Sequence, residues 1–259
     1  MKFCTAKGSL KIKSDGLVTG DAVEIENDVI TKVLPRKNRL YRPNVANIDL
    51  VAIVASNPPE PDFYLFDKLI SSCTIKDIKV IIVVNKLDLE DATAKKTEEN
   101  YSSAVEKIFR ISAKTGEGTA EFFDFLKGKT VVFSGQSAVG KTSILNRLFD
   151  INRQTGEVSK KTERGKQTTT VSEIIEKDGA MIIDTPGFTS FDLNLDADEL
   201  PHSYPEFLPY LGKCRFTDCR HLSEPDCAIV KAVEQGEINK NRYQRYKEIY
   251  KELQNGKKR

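Results

Sequence analysis

The sequence lacks any long apolar run, and none of its 259 residues is a tryptophan. The longest wholly apolar stretches, residues 50–55 and 80–84, are far too short to cross a bilayer. The first residues, "MKFCTAKGSLKIK", carry no apolar core of signal-peptide length. These absences argue against a membrane-spanning or secreted protein, and we expect a cytoplasmic protein with no membrane partner.

Cysteine is scarce, and three of the five cysteines fall between residues 214 and 227. An odd number with this clustering favours a metal site in a reducing compartment over a disulfide framework. The segment "CRFTDCRHLSEPDC" supplies four potential ligands: Cys214, Cys219, His221 and Cys227. Three thiolates and an imidazole suit a closed tetrahedral site, which predicts one structural Zn²⁺, although buried free cysteines remain an alternative. We expect Cys4 and Cys73 to be packing residues and His202 to lie at the surface.

Charge is nearly balanced, with a net value of +2, but it is unevenly distributed. Residues 31–42 hold five basic and no acidic side chains, and residues 240–259 hold eight basic and two acidic ones. Such local patches indicate a polyanionic partner that is met at defined surfaces. Solvated loops and a frayed basic tail explain each patch equally well.

The arrangement of apolar residues divides the chain into three predicted domains. Residues 1–48 contain short alternating segments, "SLKIK", "DAVEIE" and "VITKVL", which predict a small antiparallel barrel or meander. In residues 49–191, buried apolar strands alternate with helical segments, which predicts an α/β domain with a parallel sheet covered on both faces. An acidic, proline-punctuated segment then leads into residues 192–259, a helical module that contains the Cys/His cluster.

The segment "GQSAVGKT" between a predicted strand and a predicted helix matches the phosphate-binding loop GxxxxGK[ST]. Its glycines let backbone N–H groups curl around phosphate oxygens at the start of a helix. In this motif Lys141 neutralises the β- and γ-phosphates, and the Thr142 hydroxyl binds Mg²⁺. The predicted nucleotide-binding residues of the loop are Gly135, Gln136, Ser137, Ala138, Val139, Gly140, Lys141, Thr142 and Ser143.

A second acidic element, "DTPG", ends the apolar strand "AMIID" and matches DxxG. Asp184 is predicted to hold Mg²⁺ through water, and the Gly187 N–H to contact the γ-phosphate. Between the two elements, Thr168 or Thr169 is predicted to complete the Mg²⁺ coordination. Phe188 stands where small GTPases carry a water-orienting glutamine, so Gln167 is the nearest candidate for that role.

The base-selecting elements come earlier in the chain. Asn85, Lys86, Leu87 and Asp88 form NKxD after the predicted strand "VIIVV". Ser112, Ala113 and Lys114 form SAK at the end of the predicted strand "FRIS". The Asp88 carboxylate can accept from guanine N1–H and the exocyclic amine, a pair of donors that adenine does not offer. Lys86 can cover the ring, Asn85 can tie this loop to the phosphate loop, and the Ala113 N–H can donate to guanine O6. Leu87 is included without an assigned contact.

The five elements therefore occur in the order NKxD, SAK, phosphate loop, switch threonine and DxxG. A parallel sheet tolerates this order, because ligand-binding loops lie at the carboxyl edge of the strands whatever the chain order. Joining the original ends through "TAEFFDFLKG" and opening the chain elsewhere produces a circular permutation. The segment 164–188 would then run directly into the C-terminal module.

Together these motifs resemble the RsgA-type family of ribosome small-subunit-dependent GTPases, over nearly the whole chain. "LPRKNRLYRPNVANID", "FSGQSAVGKTSILN", "DTPGF" and "CRFTDCRHLSEPDCAI" carry the resemblance. It implies an N-terminal OB-fold, a circularly permuted P-loop GTPase domain and a C-terminal zinc-binding module. It also implies GTP hydrolysis stimulated by the small (30S) ribosomal subunit, with contacts to 16S rRNA.

This chain departs from the family pattern at two places. The family usually has a histidine where Gln167 stands, and the N-terminal barrel is shorter than usual. The leading prediction is a monomeric GTPase that uses GTP, GDP and Mg²⁺. An RNA-binding module that retains the nucleotide only as a regulatory ligand is the alternative, and a P-loop kinase is disfavoured by the joint presence of NKxD, SAK and DxxG.

Overall fold

The computed structural model describes residues 3–8, 16–41, 43–152, 173–184 and 193–256. Its N-terminal part consists mainly of short strands. The strands are β1 (Thr5–Ala6), β2 (Val23–Glu26), β3 (Val29–Val33), β4 (Arg39–Tyr41) and β5 (Asn44–Ala46). β2 and β3 form the predicted antiparallel hairpin, in which Asn27 and Asp28 both have positive φ, as a type I′ turn requires. β1 instead pairs parallel with β3, so the meander is not purely antiparallel. The predicted strand "SLKIK" lies outside the described residues.

The central sheet contains six strands that follow in sequence. They are β6 (Leu50–Ala55), β7 (Lys79–Val84), β8 (Lys107–Arg110), β9 (Thr130–Ser134), β10 (Glu173–Lys177) and β11 (Ala180–Asp184). Their order in the sheet is β10-β11-β9-β6-β7-β8, and all neighbours pair parallel except β10 with β11. The predicted turn at Asp178 and Gly179, both with positive φ, joins that antiparallel pair.

The sheet order shows the permutation directly. β9 lies in the interior of the sheet, and the three strands that precede it in the chain all lie on one side of it. The two strands that follow β9 lie on its other side. The phosphate loop after β9 is therefore near the loops after β6 and β11, because parallel neighbours end at the same edge.

Helices cover both faces of the sheet, as the continuous apolar strands predict. The helices of this domain are α1 (Phe63–Thr74), α2 (Ala92–Tyr101), α3 (Thr119–Leu126) and α4 (Lys141–Phe149). α1 and α2 pack on one face together with the C-terminal module, whereas α3 and α4 pack on the other face. The apolar residues at helical spacing in α1, namely Phe63, Phe66, Leu69 and Ile70, are all buried.

The C-terminal module, residues 193–256, is helical. It contains the 3₁₀ segments Leu200–Ser203 and Pro205–Tyr210 and the helices α5 (Ala228–Glu234) and α6 (Lys240–Gly256). The tyrosines Tyr243, Tyr246 and Tyr250 of α6 face inward, and Tyr246 is fully buried. No helix in the described part of the chain is long and apolar enough to span a membrane.

Four charged groups, of which three are buried and Arg245 is partly exposed, fix the C-terminal module against α1. Arg242 donates to Asp67 at 2.7 Å and to both carboxylate oxygens of Glu206, and Arg245 pairs with Asp67 as well. The side chains of Arg242, Asp67 and Glu206 are at most 3% exposed. We call these four residues the buried charge cluster; two cations face two anions, so each charge has a partner in the low-dielectric interface.

Candidate nucleotide and metal sites

The phosphate loop follows β9 directly, and its first and last glycines are required by their surroundings. A Cβ on Gly135 would lie 2.4 Å from the Val54 carbonyl oxygen, and one on Gly140 would lie 2.3 Å from Asn85 Nδ2. Ala138, between them, has a φ of +64° although it carries a side chain. Such left-handed backbone costs a non-glycine residue about 1 kcal/mol, which indicates that the surrounding contacts impose the loop conformation.

Lys141 begins α4 and turns its ammonium back over the loop. Its Nζ donates to the carbonyl oxygens of Gly135 and Gln136, each at 2.7 Å. Burial lowers the pKa of Lys141 to about 8, while the nearby Asp184 carboxylate acts in the opposite direction. Asp184 ends β11 opposite Phe133 of β9, so the strand pairing brings the DxxG aspartate to the phosphate loop. Cation and carboxylate are therefore adjacent.

The remaining predicted phosphate-site residues occupy different positions. Thr142 and Ser143 are half-buried in the first turn of α4, Val139 is buried, and Ser137 is exposed in the loop. Gln167, Thr168, Thr169 and Gly187 lie outside the described residues, as does Phe188.

Asn85 joins the base-selecting loops to the phosphate loop. Its Nδ2 donates to the Val139 carbonyl oxygen at 3.0 Å, and its Oδ1 accepts from the Ala113 N–H at 3.0 Å. The side chain is buried, so both hydrogen bonds are shielded from water. The Asn85 side-chain amide thus fixes the positions of NKxD, SAK and the phosphate loop relative to one another, although Asn85 and Val139 are 54 residues apart in the sequence.

Asp88 is held by the SAK element. The Ser112 hydroxyl donates to Asp88 Oδ1 at 2.6 Å, and the Lys114 ammonium lies 3.7 Å from Oδ2. The hydrogen bond from Ser112 lowers the pKa of Asp88, with Lys114 adding to the effect. The side chain is 14% exposed, so an ionised, oriented carboxylate is presented for ligand N–H donors.

Lys86 contacts two other loops from a backbone conformation with a φ of +65°. Its Nζ donates to the Ala138 carbonyl oxygen at 2.9 Å and to the carbonyl oxygen of Pro58. Leu87, next in sequence, is half-buried, and its N–H donates to the Ile111 carbonyl oxygen at 3.1 Å. The contact with Pro58 was not predicted from the sequence.

Gln136 makes a further contact that sequence reasoning missed. Its side-chain oxygen accepts from the Asp62 N–H at 3.0 Å, and its side-chain nitrogen donates to the Glu60 carbonyl oxygen at 3.2 Å. The motif assigns no side-chain role to this position. Only its amide, which can donate and accept at once, could have suggested that Gln136 bridges two segments.

The four predicted metal ligands converge in the C-terminal module, with all donor atoms within 4.8 Å of one another. His221 Nδ1 lies 3.5 Å from Cys214 Sγ and 3.4 Å from Cys227 Sγ, and the two sulfurs are 3.8 Å apart. Tetrahedral Zn²⁺, with Zn–S of about 2.3 Å and Zn–N of about 2.0 Å, separates its ligands by roughly 3.5–3.8 Å. The chemistry of all four donors and the spacing of Cys214, His221 and Cys227 therefore fit this ion.

The surroundings of the cluster act differently on its histidine and on its cysteines. Burial lowers the pKa of His221, which favours the neutral imidazole that a metal requires. Burial also raises the pKa of the Cys219 thiol to about 12, so the protein alone does not favour the thiolate. Tyr243 and Tyr246 of α6 donate to the carbonyl oxygens of Leu222 and Arg220, which attaches the ligand loop to the last helix.

The other sequence predictions about cysteine and histidine are mixed in outcome. Cys73 is fully buried and His202 is exposed, as predicted, whereas Cys4 is only half-buried.

Known proteins resemble this chain over nearly its whole length. The family described as RsgA GTPase matches residues 33–194. A protein of Ruminiclostridium cellulolyticum named small ribosomal subunit biogenesis GTPase RsgA is 43% identical, over 96% of this chain and 86% of that protein. Among solved structures, YjeQ from Thermotoga maritima has a TM-score of 0.79 at 35% identity, covering 96% of this chain and 89% of that one.

A second solved structure bears on the strand order. YloQ, described as a circularly permuted GTPase, matches with a TM-score of 0.77 at 29% identity, over 97% of this chain and 86% of that one. On the family match and on these identities, the chain belongs to the RsgA GTPase family.

Proposed function

We propose that the protein hydrolyses GTP to GDP and phosphate in biogenesis of the small (30S) ribosomal subunit, and that the subunit stimulates hydrolysis. The names of the relatives support a role in biogenesis of the small ribosomal subunit. The observation that carries the proposal is the Asn85 side chain, which joins the base-selecting loops to the phosphate loop. That link makes a guanine pocket and a phosphate pocket into one site.

Guanine selection is assigned to Asp88, whose carboxylate accepts from N1–H and the exocyclic amine. Ser112 and Lys114 hold this carboxylate, and Lys86 and Leu87 complete the pocket. The Ala113 N–H donates to Asn85 Oδ1, so guanine O6 would share this donor rather than find it free.

Phosphate binding is assigned to the loop from Gly135 to Ser143, with Lys141 neutralising the β- and γ-phosphates. Mg²⁺, when bound, would neutralise charge that develops on the transferred phosphoryl group. Thr142 and Asp184 would hold the ion, together with Thr168 or Thr169. Gly187 is proposed to contact the γ-phosphate, and Gln167 to orient the attacking water.

One structural Zn²⁺ is proposed for the C-terminal module. Cys214, Cys219, His221 and Cys227 are its proposed ligands, and together they fill the four positions of a closed tetrahedral site. The ion would fix the ligand loop, which α6 also holds through Tyr243 and Tyr246.

Contacts with 16S rRNA are proposed for the basic run 31–42 and the basic final helix. Phosphate contacts of this kind depend steeply on salt, so a salt titration of subunit binding counts them. We further propose a cytoplasmic monomer with three domains: residues 1–48, 49–191 and 192–259.

Turnover measurements test the central proposal. GTP hydrolysis is measured with and without purified small subunits, for the wild type and for Lys141→Ala. We expect stimulation of the wild type and none of the variant. If subunits bind but never raise turnover, the nucleotide is a regulatory ligand of an RNA-binding module and the hydrolytic proposal is wrong.

The base assignment has a separate test. Asp88→Asn replaces the acceptor pair with one acceptor and one donor, so it should lose GDP affinity and gain affinity for xanthosine diphosphate. Equal loss for both nucleotides would contradict the role given to Asp88. Competition by ATP should be negligible for the wild type.

A further inference from the structure

The segment of residues 57–62, which we call the proline loop, is attached to both halves of the nucleotide site. Lys86 of NKxD donates to the Pro58 carbonyl oxygen. Gln136 of the phosphate loop accepts from the Asp62 N–H and donates to the Glu60 carbonyl oxygen, at 3.0 and 3.2 Å. Three hydrogen bonds therefore link the two nucleotide-binding loops to this one segment.

The proline loop runs directly into α1. The Asp62 carboxylate caps the helix by accepting from the Leu65 N–H at 3.0 Å, and Phe63 begins it. Asp67 of the buried charge cluster lies five residues after Asp62, which is about 7.5 Å along the helix axis. α1 is thus a short rigid connection between the phosphate loop and the C-terminal module.

The contact between Asp67 of α1 and Arg242 of α6 leaves little room for one helix to move relative to the other. The Arg242 guanidinium lies between the rings of Tyr101 and Tyr204, 4.9 Å from each centroid, while it pairs with Asp67. A second contact ties α1 to α6, because Tyr64 and Lys68 both donate to Glu252. A buried charge that loses its partner is costly, so α1 and α6 must move together or separate cooperatively.

Lys141 links the phosphate-binding site to Gln136 and hence to the proline loop. Its ammonium uses two of its three N–H donors on the Gly135 and Gln136 carbonyl oxygens. A bound phosphate that takes more than the third donor therefore weakens one of these two bonds. Weakening of the bond to Gln136 would shift the backbone of the residue whose side chain holds the proline loop.

We propose that the proline loop and α1 couple nucleotide binding to the docking of the C-terminal module, with Gln136 as the positioning residue at the first step. The inference rests on guanine-nucleotide binding but does not depend on hydrolysis. Because coupling between two sites is reciprocal, loosening the module must also change nucleotide affinity.

Hydrogen exchange of the full-length protein tests the first direction. Amide exchange of residues 240–256 is compared with and without saturating GDP. We expect GDP to change exchange of α6 by about 5-fold or more in the wild type, the lower end of usual coupling. In Gln136→Ala, at GDP concentrations that again saturate the site, that response should disappear.

Nucleotide affinity tests the reverse direction. Arg245→Gln removes one cation from the buried charge cluster, outside the nucleotide site, and should change the Kd for GDP by about 5-fold or more. Lys251→Gln is the matched control, because it removes the same charge from an exposed position on the same helix. The control should leave both the Kd and the exchange response unchanged.

The outcomes separate this inference from the proposed function. A chain that fails to bind GDP contradicts the proposed function. A chain that binds GDP normally but shows no response in α6, or that keeps the response in Gln136→Ala, overturns the coupling alone. If Arg245→Gln disrupts the module, the Gln136→Ala comparison decides, because Gln136 lies outside it.

Discussion

Replacement of Arg242 by methionine should destabilise the packing of the C-terminal module against α1. Methionine keeps an unbranched apolar stem but removes the guanidinium and its positive charge. Asp67 retains its second partner, Arg245. Glu206, with a side chain only 3% exposed, loses the only cation with which it forms an ion pair among the described residues. The variant therefore leaves one buried carboxylate without a partner.

The size of the effect follows from that carboxylate. Removing one member of a buried ion pair costs about 3–5 kcal/mol, most of it from the remaining uncompensated charge. Burial by itself would lower the pKa of Arg242, but the carboxylates of Glu206 and Asp67 more than offset this effect and raise the pKa above its ordinary value. The arginine therefore stays charged in the folded protein. Adding Glu206→Gln to Arg242→Met removes the remaining charge and should restore at least about 2 kcal/mol.

Chemical denaturation of the two single variants and the double variant measures this coupling. Far-UV circular dichroism is suitable because the chain contains no tryptophan to serve as a fluorescent reporter. Hydrogen exchange of α6 reports the local stability of the module. If the double variant is as unstable as the sum of the single variants, the coupling energy is zero and the reasoning is refuted.

Three further predictions concern the two sites. Asn85→Ala removes two buried hydrogen bonds worth about 1 kcal/mol each, so GDP affinity should fall roughly 30-fold; an unchanged Kd in fluorescence titration would show that the link is not needed for binding. Because burial lowers the pKa of Lys141 to about 8 and phosphate requires the protonated amine, GDP affinity should be constant below pH 7 and weaken as the pH rises past 8. The same decline in Lys141→Arg, which stays protonated, would assign it to another group. Cys227→Ser should lower zinc content, measured by elemental analysis, from one equivalent to near zero, whereas Cys73→Ser should leave it at one.

Much of the fold could be predicted because apolar runs mark buried strands. β6, β9 and β11 begin and end where "LVAIVA", "TVVFS" and "AMIID" do. The prediction for β8 was two residues late, because the apolar Ile111 looks like strand although it already belongs to the loop after β8. The parallel pairing of β1 with β3 was missed because alternation indicates a strand but not its partner.

In the candidate site, too, some features could be predicted from the sequence and others could not. Motifs with fixed spacing, such as GxxxxGK[ST] and the Cys/His cluster, could be predicted because their chemistry is local. Contacts between distant segments could not, since Gln136 and Asp62 are 74 residues apart and Arg242 and Asp67 are 175 apart. Nothing in "FYLFDKL" shows that its aspartate is a buried partner of the last helix.

The strand order also affects how the chain folds during synthesis. β6 and β7 emerge from the ribosome well before β9, which must cover the other edge of β6. All six residues of β6 are buried in the finished sheet, so β6 is an apolar strand with one unpaired edge until about residue 134 has been made. An exposed apolar strand whose edge N–H and C=O groups are unpaired is a template for aggregation. The strand order thus leaves the first strand of this sheet to be made with an open edge until β9 has been synthesised, and a nascent chain arrested before β9 should be prone to aggregation.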